Sequence, residues 1–415
     1  MMRILFSSYA YPNSWQPGLG TFNRTMLAGL AQQHDVRVIA PVAFTECWRK
    51  PASPEFQAHP QIRAEYPTFY YPPKLARSRY DQFLWWSIRR TLRATLREFQ
   101  PDIVLSYWAH PDGAVAVRAA HQAGLPAVVI VGGSDVLLLA RSGARRRVIL
   151  QTLAEAEAVI TVSEDLRNTL LDDGLPGEKL HVIGRGVDTT LFHPGDRRTA
   201  RQKLDVPHDR PVIVGVGRLV PVKDWHTWLD TIEQLVARGV KPASYVCGAG
   251  PLEAELRAAI TQRGLNDFVE LRGAQTPAQL ADWYRAADLT LLTSTSEGIA
   301  NVLLETLACG GSFVATAVGG IPEIADPVCD RLAPAKNAAA LAEAVVDRLR
   351  HLPPEGYSRR FEPNSQAMTT RKLSELFTRI AGERGEVTPP GDSITESITE
   401  GTHVPPLAEI EPLSV

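Results

Sequence analysis

Short apolar runs of four or five residues alternate with stretches of helical period along most of the chain. Residues 4–7, 36–40, 102–106, 127–131 and 159–162 each read as a buried strand, and most run into a turn of small residues. A helix is expected over 21–32, and another after Ser163, a residue suited to cap a helix N-terminus. The pattern then restarts. Composition shifts at Phe192-His193-Pro194-Gly195, a polar connector runs to Arg210, and a second strand–turn–helix series begins with PVIVGVGRL. Its strands fall at 244–247, 268–271, 289–293 and 312–316, and amphipathic helices follow at 338–349 and 365–380. Strand, glycine turn and helix in repeating order mark a doubly wound parallel sheet. Two such series predict an α/β protein of two facing Rossmann-like domains with a cleft between them. The expected division is 1–190, a linker at 191–210, a second domain at 211–360, and a helix at 361–383 that packs back on the first domain. Residues 384–415 follow as an acidic, proline-rich tail with a SITE-SITE repeat, of the composition that stays disordered.

Residues 45–80 are rich in proline, aromatic and charged side chains, and predict a long irregular excursion. After them Trp85, Ile88, Leu92, Leu96 and Phe99 recur at helical spacing, with Arg89, Arg93 and Arg97 in a stripe alongside. The pattern suits a helix with one face in a core and a basic edge in water. It also suits peripheral contact with an anionic membrane, to which Arg145-Arg146-Arg147 would add.

Composition narrows the class. With 415 residues, 44% hydrophobic and 22% charged, the chain has the make-up of a globular protein with large cores. A net charge of −2 argues against nucleic acid as a partner. Cys47, Cys247, Cys309 and Cys329 are far apart and form no metal-ligand or redox spacing, as in a reducing cytoplasm. The opening residues turn polar too soon for a signal peptide, and no apolar run approaches the roughly 18 residues of a membrane span. A cytoplasmic protein, at most resting on the inner face of the membrane, is expected.

The candidate chemistry gathers at the C-terminal ends of the strands, where such sheets bind ligands. Within TSEGIANVLLE, Glu297 lies in a small-residue turn and Glu305 in the helix that Asn301 opens. Gly298, Ile299, Ala300 and Asn301 offer backbone N–H groups to an anion or to sugar hydroxyls, and the two carboxylates can accept from hydroxyls. Alone, the stretch also suits a capped surface helix. Arg218 and Lys223 follow the strand that breaks at Gly217, and two cations in one turn match a diphosphate. Gly248 and Gly250 at a neighbouring strand end would let a nucleoside approach the backbone. In the first half, His110 sits in the loop YWAHPDG, where it is either a cleft residue or a satisfied loop histidine. Ser134 and Asp135 follow Gly132-Gly133 at a strand's cleft end and are candidates for contacting an acceptor. Gly18 and Gly20 are a fragment of a nucleotide-binding loop.

GVGRLVPVKDWHTWL, EGIANVLLETLACG and VATAVGGIPEI resemble the C-terminal signature of the retaining glycosyltransferases of family four, which have the GT-B fold. VSEDL and GVDTTLFHP are similar to the family's domain junction, and YWAHPDG to members that build bacterial polysaccharides or cell-wall polymers. The resemblance implies a nucleotide-sugar donor on the C-terminal domain, a glycan or lipid-linked acceptor on the N-terminal one, and no metal or other cofactor. It implies that Arg218 and Lys223 hold the diphosphate and that Glu305 accepts from the ribose. Glu297 with the backbone of residues 298–301 would hold the sugar, His110 would touch the transferred sugar, and Gly18 and Gly20 would lie beside the phosphates. Gly184-Arg185 stands where the family usually has Pro-Asn, so that Arg185 either adds a phosphate contact or changes the donor loop. Ser312 stands for a usual Pro and Ala317 for a usual Asp, and the segment over 326–331 is shortened. The competing readings are a nucleotide-sugar epimerase on the same fold, a non-catalytic nucleotide-sugar binder and a paired-carboxylate glycosidase.

Overall fold

The computed structural model describes residues 1–383 apart from 50, 55, 140–142 and 355. The tail expected over 384–415 lies outside the described residues. The strands in chain order are β1 (Arg3–Ser7), β2 (Asp35–Ile39), β3 (Val42–Ala43), β4 (Arg63–Glu65), β5 (Thr68–Phe69), β6 (Ile103–Tyr107), β7 (Ala127–Val131), β8 (Ala158–Thr161) and β9 (Leu180–Val182). A second set follows: β10 (Val212–Val216), β11 (Ala243–Cys247), β12 (Val269–Gly273), β13 (Leu289–Leu292), β14 (Phe313–Thr316) and β15 (Arg331–Ala333). They form two parallel sheets, ordered β4-β2-β1-β6-β7-β8-β9 and β12-β11-β10-β13-β14-β15, with β3 and β5 paired apart. In each sheet the order reverses beside the first strand, between β1 and β6 and between β10 and β13, and such a switch point opens a crevice at the strand ends.

Helices cover both faces, so the central strands are apolar throughout; every residue of β7 (AVVIV) is buried. Alternation along β1 shows the two sides. Ile4 and Phe6 pack with Leu27 and Leu30 of the helix Thr21–Ala31, whereas Leu5 packs with Trp85, Ile88 and Leu92 of the helix Tyr80–Phe99. The first of these cores also takes Leu373, Leu376, Phe377 and Ile380 from the helix Gln366–Glu383. The end of the described chain therefore completes the N-terminal domain.

Two segments join the halves. Within 191–210 the helix Arg197–Leu204 docks on the second domain, where Arg201 Nε donates to the Ala286 carbonyl and Nη2 to Asp288. The return runs beside the outward crossing: Val187 N–H donates to the Asn364 carbonyl, and Gln366 N–H to the Val187 carbonyl, both at 2.9 Å. The segment over 326–331, expected to be shortened, leads into an edge strand, β15. Asp330 accepts from the Phe313 N–H and from Arg359, and Ser312 Oγ accepts from Arg348 at 2.6 Å, a use for the hydroxyl that proline could not supply. The excursion over 45–80 contains a short helix, Phe44–Arg49, besides β4 and β5.

Candidate active site

In the second domain, β10 and β13 are neighbours, so the turns leaving them are adjacent. The turn after β10 holds Arg218 and Lys223, and the turn after β13 holds Glu297. Thr293 Oγ1 donates to the carbonyls of Lys223 and Asp224, and the Thr295 N–H donates to the Val222 carbonyl, which clips the two turns together. Lys223 Nζ then donates to Glu297 Oε1 at 2.5 Å, and Ser294 Oγ reaches the same oxygen at 2.7 Å. Both partners of the pair keep about a seventh of their side-chain surface accessible (16% and 14%). Arg218 is exposed and has no carboxylate partner among the described residues. Its peptide carbonyl is fixed by Trp225 Nε1 at 2.9 Å, while its charge is felt by Tyr9 of the other domain.

Next to the pair, the helix Asn301–Ala308 starts at Ala300 with no side-chain cap, and the buried Asn301 Oδ1 has no hydrogen-bond partner. Its first N–H groups and partial positive charge suit an anion. Glu305, one turn on, is partly accessible and accepts from the Tyr284 hydroxyl at 2.7 Å. Burial pushes its carboxyl up to about 7, against the opposing effect of that hydrogen bond.

The opposite wall comes from the first domain at very close range. A Cβ at Gly298 would lie 2.4 Å from the Gly132 carbonyl oxygen, and one at Gly133 would lie 2.6 Å from the Gly298 nitrogen. Only glycines let these turns touch backbone to backbone. Ile299 packs against the apolar clusters of both domains. Glu323 of the helix Ile321–Ile324 accepts from the N–H groups of Glu164 (3.0 Å) and Asp165 (2.7 Å), at the start of the first-domain helix Glu164–Asp172. That is a carboxylate placed on a helix N-terminus across the domain boundary. Nothing in the composition or spacing of VATAVGGIPEI signals this role, because it depends on how the domains meet.

Four of the residues singled out from sequence, Arg218, Lys223, Glu297 and Glu305, stand on the turns and helix at one end of one sheet, with residues 298–301 between them. The other candidates stand on neighbouring loops. The His110 ring is 2% exposed, and its Nε2 lies 3.4 Å from Asp81 Oδ1 on the helix Tyr80–Phe99. Asp135 is fully buried and accepts from the N–H groups of Ala109, Gly132 and Gly133, so it shapes the loop that meets Gly298. Ser134, beside it, is partly accessible. Gly248 and Gly250 lie against the Arg218 turn: an added Cβ would come within 1.8 Å of the Gly217 oxygen or 2.5 Å of the Leu219 oxygen. Their lack of a side chain serves loop-on-loop packing. Gly20 adopts φ +63° ahead of the helix Thr21–Ala31, where a Cβ would strike the Ala10 carbonyl, whereas Gly18 is exposed in open space.

Arg185 belongs to the first domain's wall. Its guanidinium lies 4.2 Å from the centre of the Phe22 ring and donates to the Tyr107 hydroxyl, leaving Nε without a partner. Tyr9, Trp108 and Asp112 extend this wall. Tyr9 packs edge-on to Trp108, and its N–H donates to Asp112, whose carboxyl burial pushes up to about 7. Among the described residues, no group of three or more His, Cys, Asp or Glu side chains could hold a metal ion.

Comparison with known proteins agrees with this architecture. Residues 18–191 match Glycosyltransferase Family 4 and residues 196–367 match Glycosyl transferases group 1. TuaC of Bacillus subtilis, named as a teichuronic acid biosynthesis glycosyltransferase, is 29% identical over 361 residues, covering 83% of this chain and 88% of that protein. A D-inositol 3-phosphate glycosyltransferase of Thermobispora bispora is 30% identical over 272 residues, 61% of this chain and 59% of the relative. Among solved structures, HepE of Anabaena in complex with UDP and glucose superposes with a TM-score of 0.64 at 20% identity, over 93% of this chain and 99% of that one. Sucrose-phosphate synthase of Thermosynechococcus elongatus gives 0.68 at 20% identity, over 93% and 98%. At that identity the structural likeness speaks for the fold. Family matches on both halves, a relative aligned along most of its length and the two facing sheets agree: the chain belongs to the family 4 glycosyltransferases and has the GT-B fold.

Proposed function

We propose that the protein moves a sugar from a nucleotide-sugar donor to a glycan or lipid-linked acceptor, with retention at the anomeric carbon and without a metal ion, in the synthesis of a bacterial surface polysaccharide or glycoconjugate. The observation that carries this reading is the Lys223–Glu297 pair, set between Arg218, which has no carboxylate partner among the described residues, and an uncapped helix start. Three sources of positive potential converge there, and a departing diphosphate is the charge they suit. Arg218 and Lys223 would take the diphosphate and residues 298–301 its neighbouring sugar. Glu297 holds the lysine in place and offers its second oxygen to a sugar hydroxyl. Glu305 accepts from the ribose.

In this reading the acceptor hydroxyl attacks the anomeric carbon from the side that the diphosphate leaves. The new C–O bond forms as the sugar–phosphate bond breaks, and the hydroxyl proton passes to the leaving phosphate oxygen, so no protein nucleophile is needed. An epimerase would need carboxylates free for acid–base work on the sugar. Glu297 is tied by Lys223 and Ser294, and Glu305 by Tyr284, which favours transfer.

A thermal-shift panel of nucleotide sugars identifies the donor, and proton NMR of the product reports the anomeric configuration. Chelator should leave turnover unchanged. Lys223→Ala should lower kcat by about 10²–10³, the usual cost of one group that stabilises developing charge. Wild-type turnover in that variant, or an inverted product, refutes the reading.

A further inference from the structure

The surface of the first domain around residues 44–93 has large apolar side chains in water. Trp48 is 89% exposed, Leu75 68%, Trp86 65% and Tyr70 61%. Trp48, Tyr70 and Trp86 are linked along this surface. Phe44 lies against Trp48 and stacks on Tyr70 at 5.9 Å, and the Tyr70 N–H donates to Ser87 Oγ, next to Trp86. The two adjacent tryptophans on the helix Tyr80–Phe99 have opposite fates: Trp85 is in the core at 4% exposure while Trp86 faces out. The face suited to a membrane is thus the one marked by Trp86, and not the Trp85 face that the apolar spacing suggests.

The rim of this patch is cationic. Between residues 70 and 97 there are seven Lys or Arg against a single Asp, in a chain whose net charge is −2. That acid, Asp81, faces His110. Arg89, Arg90 and Arg93 share a helix face with Trp86, three, four and seven residues on, and Arg89 stacks over the Trp86 ring at 3.8 Å. Lys74, Arg77, Arg79, Arg90 and Arg93 are exposed and make no ion pair among the described residues. Arg77 instead stands near another cation, Arg145.

We infer that this surface docks the protein on an anionic lipid bilayer, with Trp48, Tyr70 and Trp86 seated at headgroup depth and the arginines on lipid phosphates. Exposed apolar surface of this extent marks an interaction site, and tryptophan and tyrosine favour the membrane–water boundary because each ring has an apolar body and a polar tip. Each basic residue near an anionic leaflet contributes about 1 kcal/mol, or roughly a fivefold gain in partitioning. Two copies of the chain meeting through this patch would bring like charges together, which disfavours a homodimer. The inference stands apart from the transfer reading, because vesicle binding needs neither donor nor acceptor.

The test is co-sedimentation of the full chain with vesicles of phosphatidylcholine alone and with phosphatidylglycerol added. The protein should pellet only with the anionic vesicles and detach as salt rises. Trp48→Ser with Trp86→Ser should weaken partitioning on the order of tenfold or more, and Arg90→Gln about fivefold. Because these side chains are exposed, the melting temperature of each variant should match wild type. Absence of pelleting overturns the inference, as does pelleting that the tryptophan and arginine changes leave intact. Sedimentation-velocity evidence of a dimer abolished by the tryptophan changes, with no vesicle binding, would assign the patch to a second copy and overturn it as well.

Discussion

Gly298→Ala isolates what the contact between the domains contributes, because it adds one methyl group at the boundary and removes nothing. The new Cβ would lie 2.4 Å from the Gly132 oxygen and 3.1 Å from both the Gly132 carbon and Leu166 Cδ1. Ordinary carbon–oxygen contact needs about 3.3 Å or more, so close to 1 Å of separation must be found. The obstructing atom cannot swing aside: it is a main-chain carbonyl in a turn whose N–H groups at Gly132 and Gly133 are held by Asp135. Gly298 itself is not in the left-handed region, so alanine is tolerated by its own backbone. The displacement must therefore appear between the domains. A misplacement of about 1 Å between reacting groups costs on the order of 10²-fold in rate, or about 2.7 kcal/mol of barrier. Steady-state transfer with the donor identified by thermal shift should show that loss in kcat/KM, while the melting temperature stays within a few degrees of wild type. A variant with kcat/KM within about twofold of wild type would refute the reasoning, since it would mean that the reaction does not require the turns to touch.

The remaining predictions concern the same boundary, the site and the core. Glu323→Gln weakens both hydrogen bonds to the Glu164 and Asp165 N–H groups, from charge-assisted to neutral; kcat/KM should fall by about three- to tenfold with little change in melting temperature. Burial raises the folded Glu305 carboxyl from an ordinary 4.5 to about 7. The unfolded chain thus loses this proton first, and stability contributed by the group falls as pH rises from 4.5 to 7. Glu305→Gln should flatten that part of the stability–pH curve measured by denaturant melts. The same ionisation makes the carboxylate a better acceptor, so donor affinity should rise through pH 7 in wild type and stay level in the variant. Phe377→Ala, at a fully buried position in the first domain's core, should cost about 3–5 kcal/mol in unfolding free energy; a loss under about 1 kcal/mol would mean the helix adds little to that domain.

Much of the fold was legible because a parallel sheet with both faces covered has an unmistakable pattern. β7 and β10 are uninterrupted apolar runs, and each leads to a turn of small residues at the cleft end. The pattern also put Arg218, Lys223 and Glu297 on turns that follow strands of one sheet, while their adjacency comes from the strand order, in which β10 lies beside β13. Direction within a loop was not legible. His110 and Asp135 occupy cleft-end loops, yet both turn inward, because the loop's own backbone N–H groups and the Asp81 carboxylate compete for them. The adjacent tryptophans were legible: the helical period that joins Trp85 to Ile88, Leu92 and Phe99 marks the covered face, and Trp86 stands off it in water. Gly248 and Gly250 were legible as points of close approach, but the approaching backbone is that of the adjoining turn. Glu323 was invisible for a different reason, as its acceptor role exists only when two separately patterned halves meet.

The helix Gln366–Glu383 lies on the first domain although the chain has by then built the second. The polypeptide accordingly passes between the halves twice, and the passages run side by side where Val187 pairs with Ser365. For protein engineering this means that the second half cannot be exchanged as one terminal fragment. A chimera joined once, near Pro194, would import a foreign helix onto the recipient's Leu27 and Leu30, whereas a chimera joined again before Gln366 keeps the original seam.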